Sequence, residues 1–544
     1  MKVCSRLYVA WFRWLALGMV LVFTVWACVS HPLAQPTPDP VQVTQGQVLV
    51  APMRKLDLLF MVDNSPSMAP KQEKMAAQFP SLIDALRDPT DQSLPDLRVA
   101  IIDSDLGSGL SGRCTKSGRY GDMGKFQMRD ASTCGANADA RWLEYTKGSA
   151  VNFNGELKDV FKCFATKVGV EGCGFEHQLA AIEWAFYLPD NASQKEFLRQ
   201  EAYLGIVILT DEDDCSATPN TAMFNPAYVG ESGSLRCATR GHVCDGITLV
   251  SPTTEAVSAP YESCHARTDT TCDDAKDDAS GMTACNPLVD VGQLAKEVKD
   301  LKGDAADDKI LVAGIYGTPR KGDTSAKRYV IDKAIDEGNP AGPQVFDYWP
   351  ICYDPDYMPS GSGFDLTAAV HGATGGLRIS AFLKEFKAEN GLSYSICESD
   401  FGPAMAGIGK RLGEIMNDLC VPFKVVDISD ASGIQADCRV AYSRPAGFDA
   451  KGNQVFKEDK DGIPACDASH TSGCWELKLG NANGTADEQE TARRCPAQGS
   501  TPSQMINIIR KPGETLDDGT KAVMYCLSCV DALPGMQPKK GCDY

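Results

Sequence analysis

Hydrophobic residues along this chain form short continuous runs, separated by stretches in which apolar residues recur every three or four positions. The runs at residues 56–62, 97–102, 203–209 and 309–315 are apolar at nearly every position. Such runs are typical of buried strands in a parallel sheet that is covered on both faces. Strands that alternate with amphipathic helices predict an α/β fold with a doubly wound, mostly parallel sheet.

Helical periodicity places three of the covering helices. One carries an apolar stripe from Met68 to Leu86, a second lies just before Pro189, and a third spans residues 401–419. Each stripe repeats at the spacing of one helix face, which predicts that this face packs on the sheet. The proline explains the end of the second helix, because it cannot continue the hydrogen-bond ladder.

Two long segments interrupt the alternation of strands and helices. Residues 104–172 and 213–308 are far longer than ordinary connections, and the second is rich in Gly, Ser and Asp. The second segment also contains six cysteines. We therefore expect disulfide-stapled insertions in a domain that spans residues 54–420.

The pattern changes again near residue 420. Short strand-like runs follow, separated by turn signals such as Pro445-Ala446-Gly447 and Asp461-Gly462. They predict a small β-rich, disulfide-stapled domain over residues 421–544. Eight cysteines lie from Cys420 onward and twelve lie between it and the N-terminal segment, and both numbers are even.

The N-terminal segment predicts export. Three basic residues precede an apolar core at residues 14–27, which is shorter than the roughly 20 residues that a membrane span needs. This core ends in Val25-Trp26-Ala27-Cys28, which resembles a bacterial lipobox. The resemblance implies a signal peptide over residues 1–27 and a lipid on Cys28. Residues 28–53 are rich in Pro and Gln and predict a tether.

The residue after the lipobox bears on the destination of the protein. Val29 stands where an inner-membrane retention signal carries Asp, so the resemblance implies an outer-membrane lipoprotein, either periplasmic or surface-exposed. Of the 22 cysteines, twenty remain once Cys4 and Cys28 are set aside. An even number in an oxidising compartment predicts disulfides. Thiolate metal binding is the alternative, but the one tight CxxC, at Cys526 and Cys529, has no second pair at zinc-site spacing.

Charge narrows the choice of partners. The chain of 544 residues has a formal net charge of −19. Proteins that bind nucleic acid neutralise phosphates with basic patches, so this charge argues against a nucleic-acid partner. The net negative charge is instead compatible with a solvent-exposed protein surface in contact with dissolved cations.

Oxygen-bearing side chains follow the first predicted strand at alternate positions. They are Asp63, Ser65 and Ser67. Carboxylate and hydroxyl oxygens are the hard ligands that Mg²⁺ prefers, and the carboxyl ends of strands are where doubly wound sheets bind ligands. A simpler alternative is that Ser67 caps the following helix.

The Asp63-x-Ser65-x-Ser67 motif resembles the metal-ion-dependent adhesion site of von Willebrand factor A (vWA) domains. Leu209-Thr210-Asp211 resembles the family's second landmark, although Glu212 replaces its usual glycine. The family's threonine ligand has no clean match, and Glu176 is the best oxygen donor in the corresponding stretch. A carboxylate at that place would weaken the attraction of the metal for an acidic ligand.

The resemblance implies a binding module rather than an enzyme. It implies a divalent cation held by Asp63, Ser65, Ser67, Glu176 and Asp211, most simply Mg²⁺ with Ca²⁺ or Mn²⁺ as alternatives. The partner would be a protein or another envelope ligand that offers an acidic group to the metal. Two other readings stay open: a structural envelope protein with a vestigial metal site, and a metal-dependent hydrolase that uses Asp63 and Asp211 with Asp213 and Asp214.

Overall fold

The computed structural model of the protein describes most of the chain beyond the N-terminal segment. The described residues are 41–49, 54–87, 92–108, 120–217, 221–224, 232–248, 261, 263–267, 286–320, 331–334, 345–357, 370–417, 420–421, 423–428, 434–448, 454–495, 497, 501–511, 514, 516, 520–529 and 542. The signal peptide and Cys28 therefore lie outside the described residues.

Strands and α-helices are numbered here in chain order. The strands are β1 (Val41–Leu49), β2 (Lys55–Val62), β3 (Asp96–Asp103), β4 (Leu143–Thr146), β5 (Ser149–Ala150), β6 (Tyr203–Leu209), β7 (His242–Cys244), β8 (Ile247–Thr248), β9 (Cys264–Ala266), β10 (Ile310–Tyr316), β11 (Ile331–Ala334), β12 (Val345–Tyr348), β13 (Cys352–Tyr353), β14 (Gly372–Ala373), β15 (Gly391–Ser395), β16 (Cys438–Phe448), β17 (Gln454–Glu458), β18 (Cys474–Leu479), β19 (Gln504–Ile509) and β20 (Lys521–Cys529). The helices are α1 (Ala69–Ala85), α2 (Leu157–Lys167), α3 (Gln178–Tyr187), α4 (Gly233–Gly241), α5 (Val291–Asp300), α6 (Ala306–Lys309), α7 (Leu377–Lys384), α8 (Gly402–Asn417) and α9 (Ala486–Arg494).

A seven-stranded sheet forms the centre of the larger domain, in the order β15-β10-β6-β2-β3-β4-β5. The five strands from β15 to β3 run parallel to their neighbours, and β4 and β5 form an antiparallel edge. Strands β3 and β6 flank β2 on opposite sides, so the direction of winding reverses beside β2. The prediction of a doubly wound, mostly parallel α/β sheet is confirmed.

Both faces of the sheet are covered by helices. Leu58 and Phe60 of β2 pack on the face that α1, α2 and α8 cover, and Leu59 and Met61 pack on the opposite face under α3, α5 and α7. Alternate residues of a strand point to opposite faces, so burial on both faces requires the continuous apolar run seen in the sequence.

Parts of both segments that were predicted as insertions pack into the α/β domain itself. From the first, β4 joins the central sheet and α2 buries Phe161 and Phe164 in its core. From the second, α5 buries Leu294 and Val298 on the other face. Helix α5 has only a short apolar stripe and follows a long polar stretch. The sequence analysis therefore placed the end of the second insertion after this helix, at residue 308.

Disulfides staple the insertions, as predicted. Cys134 is bonded to Cys163, and the second insertion contains the pairs Cys215–Cys237 and Cys244–Cys264. The three-stranded sheet β8-β7-β9 forms around the latter pair. Cys114, Cys272 and Cys285 lie outside the described residues.

The C-terminal region is β-rich and has its own disulfides. All eight cysteines from Cys420 onward pair with one another, as Cys420–Cys495, Cys438–Cys526, Cys466–Cys474 and Cys529–Cys542. The two cysteines of the CxxC motif thus have different partners, which excludes a thiolate metal pair there.

Part of the predicted tether is a strand of the C-terminal sheet. Strand β1 pairs antiparallel with β20, and the sheet order is β1-β20-β16-β17. The sequence assigned residues 28–53 to a tether because Pro and Gln dominate it. Valines at alternate positions at the start of β1 suit a strand, but the pairing partner lies too far along the chain to be read from the sequence. No helix among the described residues is both long enough and apolar enough to span a bilayer.

Candidate metal centre

The loops that follow the central strands meet at the carboxyl edge of the sheet. The Asp63 amide, just after β2, donates a hydrogen bond to the Leu209 carbonyl at the end of β6, 2.9 Å away. The Thr210 amide donates to the Ile315 carbonyl near the end of β10 at 3.1 Å. These bonds hold the Asp63 and Asp211 loops side by side at the point where the winding reverses.

Asp63 lies at the centre of this edge and is fully buried. Its Oδ1 accepts a hydrogen bond from the Ser65 amide at 2.8 Å, and its Oδ2 accepts one from the Thr210 hydroxyl at 2.6 Å. Burial, and then the neighbouring Asp211 carboxylate, raise the pKa of Asp63 to about 6, while the bonds from Thr210 and Ser65 oppose the rise. The carboxylate is thus fixed in one orientation in a strongly negative setting.

Ser65 and Ser67 are buried next to Asp63, and their hydroxyl oxygens lie 3.2 Å apart. A short 3-10 turn, Pro66–Met68, contains Ser67 and leads directly into α1. Helix α1 begins after Met68 without a side-chain cap, so Ser67 does not serve as the helix cap that the sequence left open. Both hydroxyls instead face each other in the loop.

Asp211 is buried on the neighbouring loop. Its Oδ2 accepts a hydrogen bond from the Lys71 ammonium of α1, and its Oδ1 is buried with no hydrogen-bond partner among the described residues. The Asp211 carbonyl accepts a hydrogen bond from the Thr374 amide at 2.9 Å. The backbone of this loop is therefore fixed while one carboxylate oxygen is left unsatisfied.

Glu176 reaches the same edge from the loop before α3. It is 1% exposed, its Oε2 accepts a hydrogen bond from the Ser104 hydroxyl, and its Oε1 is buried without a hydrogen-bond partner in the described part of the chain. Burial raises the pKa of Glu176 well above its usual range, and the Asp63 and Glu212 carboxylates raise it further. The Ser104 hydroxyl also lies 3.4 Å from Asn64 Oδ1, so this shared contact places Glu176 beside the Asp63 loop.

The residues at this edge fit a divalent cation that prefers oxygen ligands. Three buried carboxylates face one buried ammonium, a formal charge of −2 when all are ionised. Glu176 Oε1 and Asp211 Oδ1 have no hydrogen-bond donor among the described residues, and unsatisfied buried polar atoms are rare in folded proteins. No group of three or more Asp, Glu, His or Cys side chains placed to hold a metal ion occurs among the described residues, so Asp63, Glu176 and Asp211 do not form such a group. Serine hydroxyls and water would complete the ligand set, which is the mixture that Mg²⁺ favours.

The pattern of the sequence did not identify every residue of this edge. Ser104 follows β3 and Lys71 lies one turn into α1. A signal for Lys71 was present, because it occupies the same helix face as the buried Met68 and Met75. A lysine on a buried stripe needs an acidic partner, here Asp211.

The hydrolase alternative also used Asp213 and Asp214. In the structure these two carboxylates stabilise the start of the second insertion. Asp213 accepts hydrogen bonds from the Arg378 amide and from His242 Nε2, the latter at 2.6 Å. Asp214 accepts from the Leu179 amide at 2.9 Å and from Arg378 Nε at 3.0 Å. Both carboxylates therefore secure the starts of α3 and α7.

The order of the central strands and the helices on both faces of the sheet give an α/β fold that resembles the vWA fold. No model of a known protein family matches the chain, and no curated protein matches it. Among solved structures, it is similar to a von Willebrand factor type A protein from Catenulispora acidiphila, with 9% identity over 93% of this chain and 68% of that chain and a TM-score of 0.22.

Two further solved structures are larger proteins. The human COPII-coat protein Sec24c is 9% identical over 90% of this chain and 42% of its own, with a TM-score of 0.25. The pilus adhesin SpaC from Lactobacillus rhamnosus GG is 10% identical over 93% and 45%, with a TM-score of 0.26. The chain thus spans less than half the length of these two proteins. TM-scores this low support no inference about function. Any such inference rests on the residues at the carboxyl edge of the sheet.

Proposed function

We propose that this protein is a lipid-anchored protein of the cell envelope whose vWA-like domain binds its partner through a divalent cation. The cation, Mg²⁺ or alternatively Ca²⁺ or Mn²⁺, would be held by Asp63, Ser65, Ser67 and Asp211, with Glu176 as a further ligand. When bound, it would supply a positive charge with one position open to an acidic group of a protein or another envelope ligand.

One observation carries this proposal. Asp63, Glu176 and Asp211 are distant in sequence, yet the fold buries them at one edge of the sheet, and two of them keep a carboxylate oxygen that has no donor in the described part of the chain. Burying carboxylates together is unfavourable unless a cation compensates them. A structural role alone does not require three of them in this place.

The residues of the edge have distinct parts in this proposal. Asp63 and Asp211 would neutralise the cation, and Thr210 and the Ser65 amide hold the Asp63 carboxylate in its orientation. The serine hydroxyls would add neutral oxygen ligands. Glu176 would add negative charge and moderate the attraction for an incoming carboxylate.

The role is binding, with no reaction assigned to the site. Lipid on Cys28 would anchor the protein in the outer membrane, on its periplasmic or its external side. The intact mass of protein extracted from membranes tests this anchor, since acylation adds the mass of the lipid and an unmodified Cys28 would exclude it.

Capture from envelope extracts tests partner binding. The immobilised protein is incubated with solubilised envelope in Mg²⁺ or in chelator, beside an Asp63→Ala variant. We expect partners that are retained in Mg²⁺ and lost both in chelator and with the variant. Identical capture in all three arms would contradict metal-dependent binding.

A second candidate function has an observation in its favour. The Lys71 ammonium already supplies one positive charge to Asp211. A structural envelope protein with a vestigial site could use this lysine in place of a metal. Such a protein shows no saturable binding of Mg²⁺, Ca²⁺ or Mn²⁺.

A further inference from the structure

Lys71 is a buried cation inside the proposed metal centre. Its side chain is 2% exposed, and its Nζ forms an ion pair with Asp211, itself 3% exposed. The same Nζ donates a hydrogen bond to the Gly372 carbonyl at 2.9 Å. Lysine is almost never fully buried unless it is paired, so this arrangement marks a specific role.

The Lys71 ammonium and a divalent cation would compete for the Asp211 carboxylate. Lys71 contacts Asp211 Oδ2, while the other oxygen of this carboxylate has no hydrogen-bond partner among the described residues. Like charges a few ångströms apart repel strongly in a buried setting, because little water screens them. Binding of a metal at Asp211 is therefore opposed as long as Lys71 keeps its position.

The second acceptor of Lys71 offers a place for it to remain. Gly372 belongs to β14, and the Thr374 amide two residues later donates to the Asp211 carbonyl at 2.9 Å. The carbonyl of Gly372 is thus held close to the Asp211 loop by backbone bonds that do not involve Lys71. The ammonium can give up the carboxylate and still keep a hydrogen bond.

We propose that Lys71 is the built-in counter-ion of the site, one that occupies Asp211 in the metal-free protein and lowers the affinity for divalent cations. This inference rests on the proposed metal-binding function. The lysine neutralises one of three buried carboxylates, so the empty site does not unfold the domain. A metal ion must displace the Lys71 ammonium from Asp211. Occupancy of the site by metal is therefore set by competition between the lysine side chain and the dissolved cation.

Helix α1 provides a matched control for this lysine. Lys74, one turn later, pairs with Asp354 at 3.2 Å and donates to the Glu398 carbonyl at 2.8 Å. It has the same two kinds of acceptor as Lys71, but neither of these acceptors belongs to Asp63 or Asp211. A Lys74→Met variant therefore reports the loss of a helix lysine and its ion pair without removing the contact to Asp211.

The test is calorimetric titration of Mg²⁺ and Mn²⁺ into the full chain with its disulfides intact, as parent, Lys71→Met and Lys74→Met. We expect Lys71→Met to bind at least tenfold more tightly than the parent, and Lys74→Met to bind like the parent. In the absence of metal, Lys71→Met should melt at a lower temperature, because the buried Asp211 carboxylate then lacks its counter-ion, and metal should restore its stability.

The outcomes separate this inference from the proposed function. Equal or weaker binding by a folded Lys71→Met overturns the counter-ion role while the metal site stands. Binding by Lys71→Met alone supports the counter-ion role and contradicts metal binding by the parent. Absence of binding in both proteins overturns both.

Two measurements keep the inference testable if Lys71→Met does not fold. Lys71→Gln retains a donor for the Gly372 carbonyl and removes the charge, and the same tenfold gain is expected of it. In the parent, saturating Mg²⁺ should raise the rate at which an amine reagent acylates Lys71 relative to Lys74, followed by peptide mass spectrometry. Unchanged relative rates at saturation would contradict displacement of the ammonium.

Discussion

At the scale of single residues, the molecule concentrates buried carboxylates at one edge of a sheet. Asp63 and Glu176 both have raised pKa values, for the same reasons: burial first, and then the charge of neighbouring acids. Raised pKa values of clustered groups in a fold's ligand-binding edge are typical of functional sites. The sequence motif identified Asp63, Ser65 and Ser67, because their spacing is local. It did not reveal Lys71 or Ser104, whose roles depend on contacts across 140 and 72 positions of the chain.

A second acidic pair, away from the metal centre, predicts a pH dependence of stability. Glu183 on α3 is half-buried, and burial, followed by the charge of Glu297 on α5, raises its pKa from 4.5 to about 7. A raised pKa in the folded state means that folding favours the protonated form. This contribution is complete below about pH 4.5 and is lost as the pH rises through 7.

We therefore expect Glu183→Gln to raise the melting temperature at pH 8 and to leave it nearly unchanged at pH 4.5. The glutamine side chain is neutral at both pH values. Any difference between the two pH values therefore comes from ionisation of Glu183 in the parent. Melting curves at the two pH values check this, with Glu73→Gln on the exposed face of α1 as a control. An equal shift at both pH values would contradict the assignment.

At the scale of elements, the proposed metal centre lies where loops from three strands are held together by backbone bonds. The four apolar runs predicted as strands of the central sheet proved correct to within two residues, because complete burial on both faces leaves an unambiguous apolar run. The helices α5 and α7 were not predicted. Both are short, and polar segments flank their stripes, so periodicity alone was too weak to reveal them.

A close contact between two loops lies four residues before Glu176 in the chain. A Cβ added at Gly172 would lie 2.1 Å from Asn64 Oδ1, and the Gly172 amide donates to the Asn64 carbonyl at 3.0 Å. Gly172→Ala should push the Glu176 loop away from the Asp63 loop, lower the metal affinity and destabilise the domain by about 1–3 kcal/mol.

Gly174 provides the control for this variant. A Cβ added there meets no atom within 4 Å, so Gly174→Ala should keep both stability and metal affinity. Urea denaturation and metal titration of the two variants check the prediction. Equal effects of the two substitutions would show that the contact with Asn64 does not position the loop.

At the scale of the whole molecule, the N-terminal strand connects the predicted lipid anchor to the C-terminal domain. Strand β1 forms one edge of that domain's sheet along nine residues of β20. The sequence predicted a disulfide-stapled domain after residue 420, with an even number of cysteines that fits a boundary there, and all eight of these cysteines pair within the region. The pairing of β1 could not be predicted, since strand partners nearly five hundred positions apart leave no local pattern.

This arrangement predicts a sharp limit for N-terminal truncation. A chain that begins at residue 41 should keep the stability of the C-terminal sheet, whereas a chain that begins at residue 50 should lose it, because β20 becomes an unprotected edge. Limited proteolysis and thermal melting of the two truncated chains check this. Equal resistance would mean that β1 contributes nothing to the domain.

The central claim is that the carboxyl edge of the sheet binds a divalent cation through Asp63. Its most direct test is titration of Mg²⁺ into the parent, Asp63→Ala and, as a control on the exposed side of α1, Asp84→Ala. The account predicts one saturable site in the parent and in Asp84→Ala, and none in a folded Asp63→Ala. If Asp63→Ala binds Mg²⁺ as tightly as the parent, the metal centre is not at this edge.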